Sequence, residues 1–325
     1  MHKGYMFSKY ALDKDLKDVG GLWSRVDFRD YIITPKKIWL ANKWFQAGCF
    51  LQRPAKGMRR KRKCIKSADG GKVWVTIYEP VNISKNAPCM VYYHGGAFVL
   101  RDRPSTHRLA QVYAESIRCK VVIVHYRLGE PYPIPVKDCY RALVWVAHNA
   151  EKLGIDKDRI AVVGDSAGGA LAAAVTLLAR DKNGPSICFQ MLINPVRSMS
   201  YWSMRQFVDS PGWNANLNRQ MWDLYLRSGV FGKPQYAAPM CAPSLENLPP
   251  AYVETQEIDC LRDEGNAYAD RLAEAGVPVE LNEIRGTFNG YDVLFDKNQL
   301  VHLSVTRRCL VLKRAFAKMP LTPRS

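Results

Sequence analysis

The chain has 325 residues, 47% of them hydrophobic and 24% charged, and carries a formal net charge of +17. That length and apolar content are ample for one large α/β domain, or a domain with a small lid, around a buried core. No run of about 18 apolar residues is present to span a bilayer, and Met1 to Asp15 lacks the apolar centre of a signal peptide. The nine cysteines are odd in number and show no metal-type spacing, so reduced thiols, no metal site and a cytoplasmic location are expected.

In chain order, Leu12 to Val26 and Ile38 to Phe50 carry apolar residues at helical spacing, with Trp23, Phe28, Trp39, Trp44 and Phe45 among or near them. Residues 1–66 are therefore read as an amino-terminal helical lid segment. The basic run Lys56 to Lys66 is read as a solvated connector before the first strand, because no aromatic residues interleave with its charges. Val73–Tyr78 and Cys89–Tyr93 are β-rich. Helix is expected over Thr106 to Arg118, strand over Lys120 to His125, and helix over Pro135 to Leu153 with proline at its start. Strand Ile160–Val163, helix Ala167 to Arg180 and strand Cys188 to Ile193 follow. Strand Tyr252–Thr255, helix Asp263 to Ala275, strand Val277 to Ile284 and helix Asn298 to Ala317 complete the series. Strands alternating with helices imply a mostly parallel sheet covered on both faces, with the core in two parts, 67–196 and 236–325. Residues 197–235 break the alternation, are rich in Trp, Met and Tyr, and are read as a lid insertion.

Three motifs carry chemistry. Gly164-Asp165-Ser166-Ala167-Gly168 stands between a buried strand and a helix. The glycines leave room for a sharp turn, and the serine hydroxyl is presented at the helix amino terminus as a nucleophile. His94-Gly95-Gly96 follows a strand. Two glycines let the backbone approach a substrate, so Gly95 and Gly96 N–H, with Ala167 N–H, are the expected oxyanion donors, and His94 is expected to fix the loop. The third motif is Asp259-Cys260-Leu261-Arg262-Asp263-Glu264.

Together these residues resemble the hormone-sensitive-lipase-like family of α/β-hydrolases, in its bacterial carboxylesterase and acetyl-esterase branch. The likeness covers roughly residues 70 to 317, including Tyr126-Arg127-Leu128-Gly129-Glu130-Pro131 and a lid-like stretch from Asp209 to Leu226. It implies an α/β-hydrolase fold with a helical lid, no cofactor, and a small-molecule ester as substrate. In that family the chain order is serine, acid, histidine, which places the acid at Asp259. Glu257 and Asp263 compete, Asp263 being better explained as a helix cap. The histidine falls in Gly286-Thr287-Phe288-Asn289-Gly290-Tyr291, and the residue there is Asn289.

A carboxamide cannot accept a proton near neutral pH, so Ser166 loses its general base and the leaving group its acid. Among other histidines, His302 lies in the last helix and His107, His125 and His148 in the first half; only His125, at a strand end, is expected near the catalytic edge. The leading reading is a short-chain acyl or acetyl esterase silenced at one position. A non-catalytic small-molecule binder, in the manner of receptor-like relatives, is the alternative. A polyanion binder rests on net charge alone and requires salt-sensitive retention on DNA; no nucleic-acid partner is expected. A homodimer is compatible with the reading.

Overall fold

The computed structural model describes residues 10–17, 31–67, 69–195, 202–230, 232–294 and 298–321. The second half of the helix expected over Leu12 to Val26, with Trp23 and Phe28, lies outside them, and Lys14–Lys17 is a short helix, α1. The further helices are α2 Pro35–Leu51, α3 Pro104–Ile117, α4 Ile134–His148, α5 Ala150–Leu153, α6 Ala167–Asp181, α7 Trp202–Gln206, α8 Ala215–Tyr225, α9 Arg262–Glu274, α10 Tyr291–Leu294 and α11 Gln299–Phe316. The strands are β1 Met58–Lys66, β2 Lys72–Pro80, β3 Ala87–Tyr93, β4 Lys120–His125, β5 Ile155–Asp165, β6 Phe189–Ile193, β7 Ala251–Gln256 and β8 Val279–Ile284.

They form one eight-stranded sheet in the order β1-β2-β4-β3-β5-β6-β7-β8. β2 runs antiparallel to both its neighbours, and every other pairing is parallel. The middle of the sheet is buried on both faces: Val121–Val124 and Ile160–Val163 are fully enclosed. Helix α6 is buried along nearly its whole length, and its alanines let it lie close to the sheet. This is the α/β-hydrolase architecture expected from the motif pattern.

Two departures from the sequence reading change an element rather than shift its ends. The basic run is not a connector: Met58–Lys66 pairs residue for residue with Lys72–Pro80 as the edge strand of the sheet. The amino-terminal segment therefore gives way to the sheet at Met58 rather than after residue 66. Only Met58 and Ile65 of β1 are buried, so the strand has no alternating apolar face to betray it. Its charges suit an edge, where they discourage pairing with another chain. The helix expected over Pro135 to Leu153 breaks at Asn149 into α4 and α5.

No helix among the described residues is long and apolar enough to cross a membrane.

Candidate active site

Strand register decides which loops meet. Tyr93 on β3 pairs with Gly164 on β5, and Asp165 with Ile193 on β6, which pairs with Glu254 on β7. The loops holding His94–Ala97, Ser166, Asp259 and Asn289 thus all leave the carboxyl edge of the sheet side by side, where open α/β sheets place their ligand crevice.

Ser166 is held at φ +52°, and its N–H donates to Ile193 O at 2.8 Å. A serine at positive φ is strained, and the surroundings enforce it. A Cβ on Gly164 would meet Gly168 O at 2.1 Å, and one on Gly168 would meet Tyr93 O at 1.9 Å. Only glycine fits at both places, so the turn can be this sharp. Ser166 lines a cavity of about 250 Å³, and its Oγ has no hydrogen-bond partner among the described residues.

Asp259 is buried. It accepts from Leu261 N at 3.0 Å and from Asn289 Nδ2 at 3.1 Å. Burial pushes its carboxyl up to about 7, against the lowering effect of those two donors. Its competitors are engaged elsewhere. Glu257 accepts from Gly286 N at 2.7 Å, and Asp263 accepts from Ser203 N at 2.8 Å and from Arg262.

Asn289 reproduces one half of a histidine. Its amide nitrogen stands as far along the side chain as Nδ1 would in an imidazole, and it makes the bond to the acid that Nδ1 would make. Nothing in the side chain occupies the place of Nε2, and no hydrogen bond joins Asn289 to Ser166 among the described residues. No histidine lines the cavity either. His302 is exposed on α11, and His125 is bonded to Asp102 at 3.0 Å and to Thr76 at 2.8 Å.

The oxyanion loop corrects the sequence reading at one position. Gly95 N–H donates to Asp165 Oδ2 at 3.1 Å, so it is not available to a substrate. Asp165, half-buried beside the loop, also accepts from Tyr92 OH at 2.5 Å; a Cβ on Gly95 would strike its carboxylate at 2.3 Å. The glycine at 95 admits Asp165 rather than a ligand. Gly96, Ala97 and Ala167 N–H have no acceptor among the described residues, and all three residues stand at the cavity or the elbow beside it. Ala97, at φ +56°, is the residue the sequence reading missed. Side-chain identity says nothing about which way a backbone N–H points.

His94 fixes the loop as expected. Its Nδ1 is 2.7 Å from Gly95 O, its ring stacks on Tyr126, and Tyr126 OH donates to His94 O at 2.8 Å. Burial lowers it to about 4, so it stays neutral.

The two lid pieces close the cavity together. Ile38, Ala41 and Phe45 of α2 and Trp213 and Leu217 near α8 line it. Gln220 joins them, accepting from Ile33 N and donating to Tyr31 O, each at 2.8 Å. Asn42 ties α2 to the oxyanion loop by donating to Val99 O at 2.9 Å and accepting from Arg101 N at 2.8 Å. Phe98 stacks on Tyr225 with centroids 3.9 Å apart.

One group resembles a metal site. Cys49 Sγ, an Asp102 oxygen and a His107 nitrogen lie within 4.8 Å of one another. Each is already occupied: His107 bonds Asp102 at 2.5 Å and Tyr78 OH at 2.9 Å, and burial beside Asp102 pushes the Cys49 thiol up to about 12. The cluster is a hydrogen-bonded support beneath α2.

Residues 90–292 match the family model described as alpha/beta hydrolase fold. The chain is 40% identical over 229 residues to carboxylesterase NlhH of Mycobacterium tuberculosis, covering 67% of this chain and 70% of that one. It is 37% identical over 225 residues to an arylesterase of Saccharolobus solfataricus, covering 67% and 72%. The solved structure of a bacterial heroin esterase superposes with a TM-score of 0.85 at 34% identity, covering 94% of this chain and 98% of that one.

Proposed function

The chain belongs to the hormone-sensitive-lipase-like α/β-hydrolase family, whose members similar to it are carboxylesterases, and from that premise we propose a serine esterase site for short-chain acyl esters that lacks its general base. In this reading Ser166 is the nucleophile, Asp259 the acid, and Gly96, Ala97 and Ala167 N–H the oxyanion donors. The ester carbonyl would sit over Ser166 with its oxygen toward those donors; attack by Oγ would break the ester C–O bond, release the alcohol and leave an acyl-serine, which water would then hydrolyse to the carboxylic acid and free serine. Asn289 can orient nothing toward Ser166 and cannot carry the proton, so both halves of the cycle are slow. The observation that carries the reading is the single bond Asn289 Nδ2 to Asp259 Oδ2, which keeps the acid in the position a histidine would use.

The small cavity and its walls of Phe45, Trp213 and Leu217 favour a short acyl group. The test is a series of p-nitrophenyl esters from acetate to dodecanoate, hydrolysed by Asn289→His with Ser166→Ala in the same background as the blank. Acetate and butyrate should lead. Preference for long chains, or turnover surviving Ser166→Ala, would sink the assignment.

A second reading keeps the site and drops the chemistry. Three N–H groups without acceptors beside an unreactive serine can hold a carbonyl or carboxylate ligand without consuming it, as a sensor requires. It gains if Asn289→His gives no turnover while the native chain binds small carboxylic acids.

A further inference from the structure

Helix α2 has no buried residue over its whole length, Pro35 to Leu51. Its inner side faces the Ser166 cavity with Ile38, Ala41 and Phe45. Its outer side, at 3.6 residues per turn, gathers Trp39, Leu40, Trp44, Phe50 and Leu51 into one arc with Lys36 and Lys43 between them. These apolar side chains are 60%, 62%, 78%, 84% and 77% exposed. Large aromatic and aliphatic groups in one contiguous outward face mark an interaction surface.

The charge around this face narrows the partner. From residue 31 to residue 67 there is no aspartate or glutamate. The basic edge strand β1 runs beside the helix: Arg60 donates to Gln52 O at 2.9 Å just past the end of α2, and Arg62 shares a surface hollow with Trp39, Asn42 and Lys43. A second copy of a +17 chain would bring two such faces together and be repelled.

We propose that the outer face of α2, flanked by β1, docks on an anionic lipid surface. Trp39, Trp44, Leu40, Phe50 and Leu51 enter the boundary between headgroups and acyl chains, while Lys36, Lys43, Arg60 and Arg62 meet the headgroup anions; Arg59 and Lys61 are paired to Glu79. Interleaved tryptophan, leucine and lysine on one helix face is the composition such in-plane helices use, and their membrane affinity combines buried apolar area with electrostatic attraction. A polynucleotide would use the cations and could stack on the tryptophans, but it offers nothing to Leu40 and Leu51. Because α2 also walls the cavity, docking sets the lipid surface against the roof of the candidate site. The inference does not depend on whether that site turns over.

The test is co-sedimentation of the full native chain with vesicles of phosphatidylcholine alone and with about one-third phosphatidylglycerol. Variants are Trp44→Gln/Phe50→Gln/Leu51→Gln and Lys36→Gln/Lys43→Gln, with melting temperature as the folding control; all these positions are exposed, so the fold should be kept. At least tenfold more binding to anionic vesicles is expected, with a tenfold or greater loss in the triple variant and a smaller, salt-sensitive loss in the double. Equal binding to both vesicles, or a triple variant that binds as well as the native chain, would overturn the proposal. So would light scattering that shows a native dimer turned monomeric by the triple variant, or retention on single-stranded RNA without vesicle binding.

Discussion

Asn289 donates its amide hydrogen to Asp259 across 3.1 Å, deep in the molecule, and hands nothing on to Ser166. That bond orients Asp259, and no hydrogen bond carries it on to Ser166 among the described residues. A neutral amide neither balances its charge nor exchanges a proton with it, and burial leaves the carboxyl close to about 7.

That shift has a consequence for stability. The unfolded chain releases the Asp259 proton near the ordinary value of 3.8, while the folded chain holds it to about 7. Between those values the folded state binds more protons, so stability falls as pH rises, by on the order of 4 kcal/mol for an isolated group. Asp259→Asn keeps a carbonyl oxygen for one of the two donors, Leu261 N or Asn289 Nδ2, and removes the titration. Thermal melts at pH 5 and pH 8 should show a smaller pH loss in the variant than in the native chain. Equal losses would mean Asp259 is ionised throughout.

A second buried network depends on one cation. Arg308 is fully enclosed, donates to Glu254 through Nε and to Asp292 at 2.6 Å, and Glu254 also accepts from Tyr252 OH. Arg308→Met removes the charge and leaves the buried carboxylates of Glu254 and Asp292 without their cation. Chemical unfolding should show a loss of roughly 3–5 kcal/mol. Glu254→Gln combined with Arg308→Met should recover part of it.

Two glycines near the site test different constraints. Gly168→Ala drives a Cβ into the Tyr93 backbone, where nothing can yield, and should cost about 3 kcal/mol or prevent folding. Gly290→Ala meets no atom within 4 Å and suffers only from its φ of +82°, so its cost should be about 1 kcal/mol. Denaturant midpoints for the pair read the difference.

Asn42 is the tie between α2 and the oxyanion loop. In an Asn289→His background, Asn42→Ala should lower kcat for p-nitrophenyl acetate about tenfold while costing only ~1 kcal/mol in unfolding. Unchanged kcat would show that the loop holds itself without α2.

The strands and helices of the core were legible because apolar periodicity and turn glycines agree there: Ile160–Val163 followed by Gly164–Gly168 admits one fold. Ser166 and the placement of Asp259 beside Asn289 followed from motif order. β1 was hidden, since an edge strand exposed on both sides needs no apolar alternation and its arginines and lysines read as solvated chain. Gly95 was misassigned because the direction of its N–H is set by Asp165, a contact between a loop and the end of β5. The Arg308–Glu254–Asp292 network joins residues far apart in sequence, and no local pattern announces it.

The central claim is that one missing proton acceptor separates this chain from an esterase. It is tested most directly by measuring kcat/KM for p-nitrophenyl acetate hydrolysis by the native chain and by Asn289→His, side by side. Losing a triad member costs on the order of 10⁴ to 10⁶ in turnover, so restoring it should raise the rate by several decades, and Ser166→Ala should abolish the gain. A folded Asn289→His protein no faster than the native chain would contradict the account, and so would a native chain already as fast as the variant.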